Sequence, residues 1–186
     1  CNTTIGACSM ENTSSGGSNV AMGFCAMKVN TTGGSNVAVG DRALRSQTTG
    51  SSNIGLGERS GCGLTTGNGN ILIGQGIGQA TITGHCNVGV AYQGYVNLTS
   101  GGCNVAMGYR PLYNLTDASL NVGIGYEALH EATTGNQTAV GSYALRQNTS
   151  GHSNTALGYF AACGNTTGCY NTAIGRAALK TKTTGS

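Results

Sequence analysis

The chain has no tryptophan, a single proline and only 8% charged residues, against roughly 25% in an ordinary soluble domain. No apolar run approaches the ~20 residues that a membrane-spanning helix requires, so no such span is expected. The nine Lys and Arg leave a net charge of +3 and are scattered, without the basic cluster that grips nucleic acid. Proline is nearly absent while glycine reaches 33 residues, and glycine does not recur at every third position, which excludes collagen. No Cys-x2-Cys pair is present, so a zinc site lacks its usual spacing. The histidines His85, His130 and His152 gather no ligand set, and the six Asp and Glu form no nucleophile–base–acid group. Gly123-Ile-Gly125-Tyr-Glu-Ala128 matches a dinucleotide fingerprint, but no βαβ unit surrounds it. We therefore expect no enzyme activity, no cofactor and no metal. The sequence opens on Cys1 with neither an initiator methionine nor a signal segment, as a processed product or a piece of something longer would.

What the chain does have is repetition. An Asn-x-small-aliphatic-Gly motif recurs, as in Asn19-Val-Ala-Met-Gly23, Asn121-Val-Gly-Ile-Gly125 and Asn171-Thr-Ala-Ile-Gly175. Its Asn stands at 2, 19, 36, 53, 70, 87, 104 and 121, a constant step of 17. Gln137 replaces it after a step of 16, and Asn154 and Asn171 resume the longer step. Ten copies of the longer form and one of the shorter fill the whole chain. Self-similarity at such a period marks a stacked-repeat architecture. Residues 1–186 read as one continuous solenoid with no second domain. Thr183-Thr-Gly-Ser186 also joins Cys1-Asn2 in register, matching the form of Thr48-Thr-Gly-Ser-Ser-Asn53.

Numbering each repeat from its Asn gives seventeen columns. Column 1 stacks Asn on Asn, which permits an amide ladder. Columns 2 and 4 are mostly aliphatic, as in Val37, Val39, Val105 and Met107, and alternation puts them on one face of a strand. Their hydrophobicity points that face inward. Column 3 is Ala or Gly except at Thr4 and Leu72, so a small outward position is expected. Column 5 is Gly except at Ala91, marking a bend or a positive φ. Column 6 stacks Tyr92, Tyr109 and Tyr126, and column 9 repeats Leu. Columns 6 to 10 suit either a short helical turn or a second strand. Columns 13 to 15 read Thr-Thr-Gly, which is turn chemistry. The expected fold is all-β, a β-solenoid (β-helix or β-roll) of eleven 17-residue rungs, with a short helical turn in each rung as one option. At ~4.8 Å per rung the rod is about 50 Å long.

Eight cysteines and eight Asn-x-Ser/Thr sites suggest an oxidising, extracellular or cell-surface setting. Cys8 and Cys25 share column 7 on adjacent rungs, and Cys86 and Cys103 share column 17. Same-column neighbours fall within the Cα window of a disulfide, so both pairs are expected to be bridged. Cys163 and Cys169 flank a short turn and form a third expected pair, and Cys1 with Cys169 forms a candidate link between protomers. N-glycans are expected at Asn12, Asn30, Asn97, Asn114, Asn136, Asn148 and Asn165 along one edge, with Asn2 held in the ladder. The stretch from Asn36 to Cys86 carries no edge site and holds Asp41, Arg42, Arg45, Glu58 and Arg59, a candidate lateral contact surface.

The Asn-x-Ala-x-Gly copies resemble the head repeats of trimeric autotransporter adhesins. The longer form, as in Asn121-Val-Gly-Ile-Gly-Tyr-Glu-Ala-Leu129, is similar to repeats of phage tail fibres and bacterial surface proteins. That resemblance implies a β-roll or β-helix, often trimeric, serving as an adhesive or structural shaft. The expected function is a glycosylated structural protomer of an extracellular fibre, polymerising head to tail with copies of itself. One alternative is an adhesin or tail-fibre shaft that binds a host surface or glycan. Another is an ice-binding solenoid, for which adjacent rather than alternating Thr are poorly arranged.

Overall fold

The computed structural model describes residues 1–181 and Gly185. Thr183, Thr184 and Ser186, part of the expected end-to-end join, lie outside them. Every repeat contributes one short strand that begins at column 2: β1 (Thr3–Ile5), β2 (Val20–Met22), β3 (Val37–Val39), β4 (Ile54–Leu56), β5 (Ile71–Ile73), β6 (Val88–Tyr92), β7 (Val105–Tyr109), β8 (Val122–Ile124), β9 (Thr138–Val140), β10 (Thr155–Leu157) and β11 (Thr172–Ile174). They form one parallel sheet in sequence order. Register runs column to column, so Val37 sits opposite Ile54 and Val39 opposite Leu56. The shortened repeat does not disturb it, since Val122 still faces Thr138. This is a β-solenoid with one turn per repeat.

The facing of the strands is the reverse of the expectation. Column 3 points inward, with Ala21, Ala38, Ala106 and Ala156 at 0% exposure. Column 4 points outward: Met22 is 38% exposed, Val90 42% and Leu157 48%. Column 2 is half-buried or exposed throughout. So short a rung encloses too narrow a lumen for large side chains on every wall. Column 9 fills it with Leu44, Leu112, Leu129 and Leu145, and Leu64, Leu98 and Leu115 of the twelfth column enter from another side. The strand wall is left room only for Ala or Gly. Each fully buried Leu contributes about 1.5–3 kcal/mol.

Leu72 tests this account. It is a large residue in column 3 and 1% exposed. Opposite it, column 9 is Gly61 and Gly78, where an added Cβ would approach the Leu72 Cδ1 to 3.0 and 3.1 Å. Volume is conserved across the lumen, as close packing demands.

Outside β6 and β7, which run on into column 6, columns 6 to 10 are neither helix nor strand. They form tight turns with left-handed residues at columns 7 and 9, such as Arg42 (φ 55°) and Leu44 (φ 48°). Column 17 is left-handed too, as at Ser35 (φ 58°) and Cys86 (φ 58°). Column 5 has φ between 113° and 138° wherever it is Gly, as its composition predicts. A Cβ on Gly57 would also lie 2.7 Å from the Gly74 carbonyl oxygen on the next rung. Ala91 takes this place in β6, which like its partner β7 runs on to a column 6 tyrosine, and the left-handed turn follows at Gln93 (φ 50°) and Tyr95 (φ 55°).

The Asn ladder is present. Asn36 donates its backbone N–H to Asn19 Oδ1 at 2.9 Å, and its Nδ2 to the same oxygen at 3.0 Å and to Gly50 O at 3.0 Å. The backbone bond recurs at Asn70, Asn87, Asn104 and Asn121. Gln137 interrupts the ladder. Its backbone still donates to Asn121 Oδ1 at 3.1 Å, but its amide turns to Asn148 Oδ1 at 3.2 Å and its Oε1 is buried without a partner. The shortened repeat and the longer amide side chain coincide.

Candidate functional site

The outward side of the sheet is the largest chemical feature of the molecule. Columns 2 and 4 present two parallel ranks of Val, Ile, Leu, Met and Thr, with no charged residue in either. Exposed Ile5, Met22, Val39, Val90, Met107, Leu157 and Ile174 mark the column 4 rank. Column 6 flanks it with aromatics. Tyr92 and Tyr109 stack at 5.3 Å between centroids with planes 8° apart, and Tyr109 and Tyr126 at 4.8 Å and 9°. On the other flank Leu120 (57%) and Tyr170 (71%) stand exposed in column 17. This exposed apolar face, repeated over eleven strands, is the candidate site.

The column 13 threonines do not form a free hydroxyl array. Thr31, Thr48, Thr65 and Thr99 each donate their hydroxyl to a carbonyl of the next rung, at 3.0–3.3 Å.

A second feature lies round the corner from the sheet. A groove of about 580 Å³ runs across rungs 2 to 5 and is lined by Lys28, Arg42, Arg45 and Arg59, with Phe24 and Cys62 among the other walls. Of the candidate lateral residues, Arg42, Arg45 and Arg59 are thus brought together. Asp41 and Glu58 sit apart in column 6, Asp41 at 3.9 Å from Arg42 and Glu58 accepting from Gln75 at 2.8 Å. Sequence reading misses Lys28, which sits one rung from Arg45 in the same column. Burial raises the Cys62 thiol pKa, against the opposing pull of Arg59 and Arg45.

At the far end Arg146 Nε donates to Glu127 Oε2 at 2.6 Å, with Glu127 8% exposed. His130 stacks on Tyr113 and pairs with Glu131 at 2.9 Å. Among the described residues no group of three or more His, Cys, Asp or Glu converges as metal ligands do.

The three disulfides expected within the chain, Cys8–Cys25, Cys86–Cys103 and Cys163–Cys169, are not formed. All eight cysteines are free. In-register parallel stacking holds same-column side chains parallel, so their Cβ atoms are as far apart as their Cα atoms, ~4.8 Å. A disulfide needs Cβ atoms at about 3.5–4.5 Å, and sharing a column therefore opposes the bond. Cys8 is exposed while Cys25 is buried, and Cys86 and Cys103 are both exposed. Cys163 is buried, whereas Cys169 directs its thiol to the Thr167 carbonyl oxygen at 3.5 Å. Cys1 is exposed.

The glycan edge divides in two. Column 11 faces out: Asn12 and Asn97 are exposed and Asn114 half-buried, and Asn136 is exposed at the neighbouring corner. The next column faces in, which corrects the expectation for Asn30, Asn148 and Asn165, at 0%, 0% and 1% exposure. Asn30 and Asn165 donate their amides to Gly33 O and Gly168 O inside the rung, leaving no room for a sugar. Asn2 is exposed, yet its Nδ2 donates to Gly16 O at 2.8 Å and its Oδ1 accepts from Asn19 N at 2.9 Å.

Comparison of the chain with protein-family models, curated proteins and solved structures found no match. Among the described residues no helix is long and apolar enough to cross a membrane.

Proposed function

We propose that the chain is a non-enzymatic structural rod, a shaft segment of an extracellular, N-glycosylated fibre, in which copies of the rod pack side by side through the flat sheet face. One observation carries this: two uncharged, outward, largely aliphatic ranks repeat in register over eleven strands. A second copy is the occupant that fits. Its ranks have the same ~4.8 Å period, so side chains interdigitate along the full length, as between stacked sheets. The face is about 50 Å long and, with the flanking aromatics, some 14 Å wide at ~3.3 Å per strand residue. That is roughly 700 Å² per copy, close to the ~800 Å² each partner buries in a standard stable interface.

Axial growth belongs to the same proposal. Each internal rung but the one that Gln137 opens docks on its neighbour by the Asn ladder and by backbone bonds, and a further rung docks by the same bonds. Glycans on the column 11 side, at Asn12, Asn97 and Asn114, leave the sheet face bare, whereas Asn136, just before the column 1 Gln137, stands on the flank of that face. Sedimentation equilibrium of the purified chain tests the lateral step. Wild type is expected to run as a multimer, and the double variant Val39→Lys/Met107→Lys as a monomer with unchanged circular dichroism. A wild type that stays monomeric at high concentration overturns it.

A further inference from the structure

The groove across rungs 2 to 5 serves no purpose in side-by-side packing. Its cations lie in two columns, Arg42 and Arg59 in column 7, Lys28 and Arg45 in column 10, so positive charge recurs at about the ~4.8 Å rung spacing. Lys28 has Glu11 at 3.1 Å and Arg42 has Asp41 at 3.9 Å. Among the described residues Arg45 and Arg59 form no ion pair. No carboxylate lines the groove. Two of the four cations, Arg45 and Arg59, are thus gathered here without an ion-pair partner, and an anion in the groove relieves their repulsion. Beside the cations the lining carries the neutral hydroxyls of Ser46 and Thr81, while Thr65 and Gln79, also in the lining, donate to Ile82 O and Gly76 O within the rod. Phe24, 51% exposed, offers an apolar surface at one end.

We propose that this groove binds an acidic polysaccharide, a sugar chain whose sulfate or carboxylate groups recur along its length. The cations engage the acidic groups through charge-assisted hydrogen bonds. The Ser46 and Thr81 hydroxyls pair with sugar hydroxyls, and Phe24 packs against a ring face. A single-stranded nucleic acid fits less well. Such ligands are held on a series of aromatic platforms, and Phe24 is the one aromatic residue in this lining. Neighbouring rods with the same groove would give one polysaccharide chain several footholds, so that binding strengthens with assembly.

The test measures binding of the full chain to dextran sulfate, polygalacturonate, uncharged dextran and a single-stranded oligonucleotide by calorimetry, at two salt concentrations. Expected is salt-sensitive binding of dextran sulfate or polygalacturonate, and whichever binds more tightly identifies the acidic group. Uncharged dextran is expected not to bind. Arg45→Ala and Arg59→Ala each weaken binding about fivefold to tenfold, while Arg45→Lys/Arg59→Lys stays within about threefold of wild type. Arg176→Ala, an exposed arginine on the last rung, leaves binding unchanged. Arg45 and Arg59 are both exposed, so an unchanged melting temperature in each variant separates lost binding from lost fold. The proposal is overturned if neither acidic polysaccharide binds, if the Arg45 and Arg59 variants bind as wild type does, or if the oligonucleotide binds more tightly than both. Using the Val39→Lys/Met107→Lys monomer keeps this result independent of lateral assembly.

Discussion

Replacing Asn104 by Ala removes one link of the buried ladder in mid-rod. Asn104 Oδ1 accepts from Asn121 N at 2.9 Å and from Asn121 Nδ2 at 3.1 Å, and Asn104 Nδ2 donates to Ala118 O at 3.0 Å. The substitution removes these three bonds and a fourth, from Asn104 Nδ2 to Asn87 Oδ1 at 3.0 Å, and leaves two donors and one acceptor of a buried site without those partners, Asn87 Oδ1 keeping its bond from Asn104 N. Each orphaned group costs about 1–3 kcal/mol, and water entering the vacated space recovers part of it. The net loss is about 3–5 kcal/mol, a large fraction of the 5–15 kcal/mol that holds a typical domain. The melting temperature should fall by on the order of 10 °C. Urea titration followed by circular dichroism reads the loss, with Thr138→Ala on the exposed side of the sheet as reference. In a stacked array stability is a sum of rungs and junctions, so the transition should also broaden or split at the weakened junction. An Asn104→Ala variant no less stable than Thr138→Ala would refute the ladder as a source of stability.

Gly57→Ala forces a side chain onto a φ of 121° and against the Gly74 carbonyl; a loss of at least ~2 kcal/mol is expected in the same titration. Thiol labelling of the native chain should modify Cys1, Cys8, Cys86 and Cys103 quickly and spare Cys25 and Cys163, which are buried, until denaturant is added; protection of the first four without reductant would restore the disulfides. Burial pushes the Glu131 carboxyl up, but hydrogen bonds with His130 and Asn114 outweigh it and hold its pKa below the ordinary value. Its contribution is therefore present above the unfolded pKa of about 4.3 and lost as pH falls through the folded value; Glu131→Gln should flatten the stability profile below about pH 4.5. Secretory expression should place glycans on Asn12, Asn97, Asn114 and Asn136 and none on Asn30, Asn148 or Asn165, as glycopeptide mass spectrometry would show.

Much of this architecture is written in the period. The step of 17 sets rung count, parallel register, the Asn ladder, the stacked Tyr of column 6 and the positive φ at column 5. Sequence misleads on the facing of the strands, because alternation tells which residues share a face but not which face is inside. Met22 and Val39 are more hydrophobic than Ala21 and Ala38, and that difference points the wrong way. The deciding quantity is lumen volume, visible in sequence only as the pairing of Leu72 with Gly61 and Gly78. Left-handed residues such as Leu44 and Leu129 carry no local signal, since their conformation is imposed by the rung closing on itself. The inward turn of Asn30 and Asn165 is equally hidden, because a sequon reads the same inside or out. The groove cations are scattered in linear order, and gather only when the chain is wrapped at its period and the columns are read down.

Mass per unit length of the assembled particle, by scanning transmission electron microscopy of unglycosylated protein, tests side-by-side packing most directly. A chain of 18.6 kDa over eleven rungs at ~4.8 Å each is a rod of about 0.35 kDa per Å. Packing through the sheet face predicts an integer multiple of that value, two or more, falling to the single-rod value in Val39→Lys/Met107→Lys. Wild-type particles at the single-rod value, or a multiple that the double substitution leaves unchanged, would contradict it.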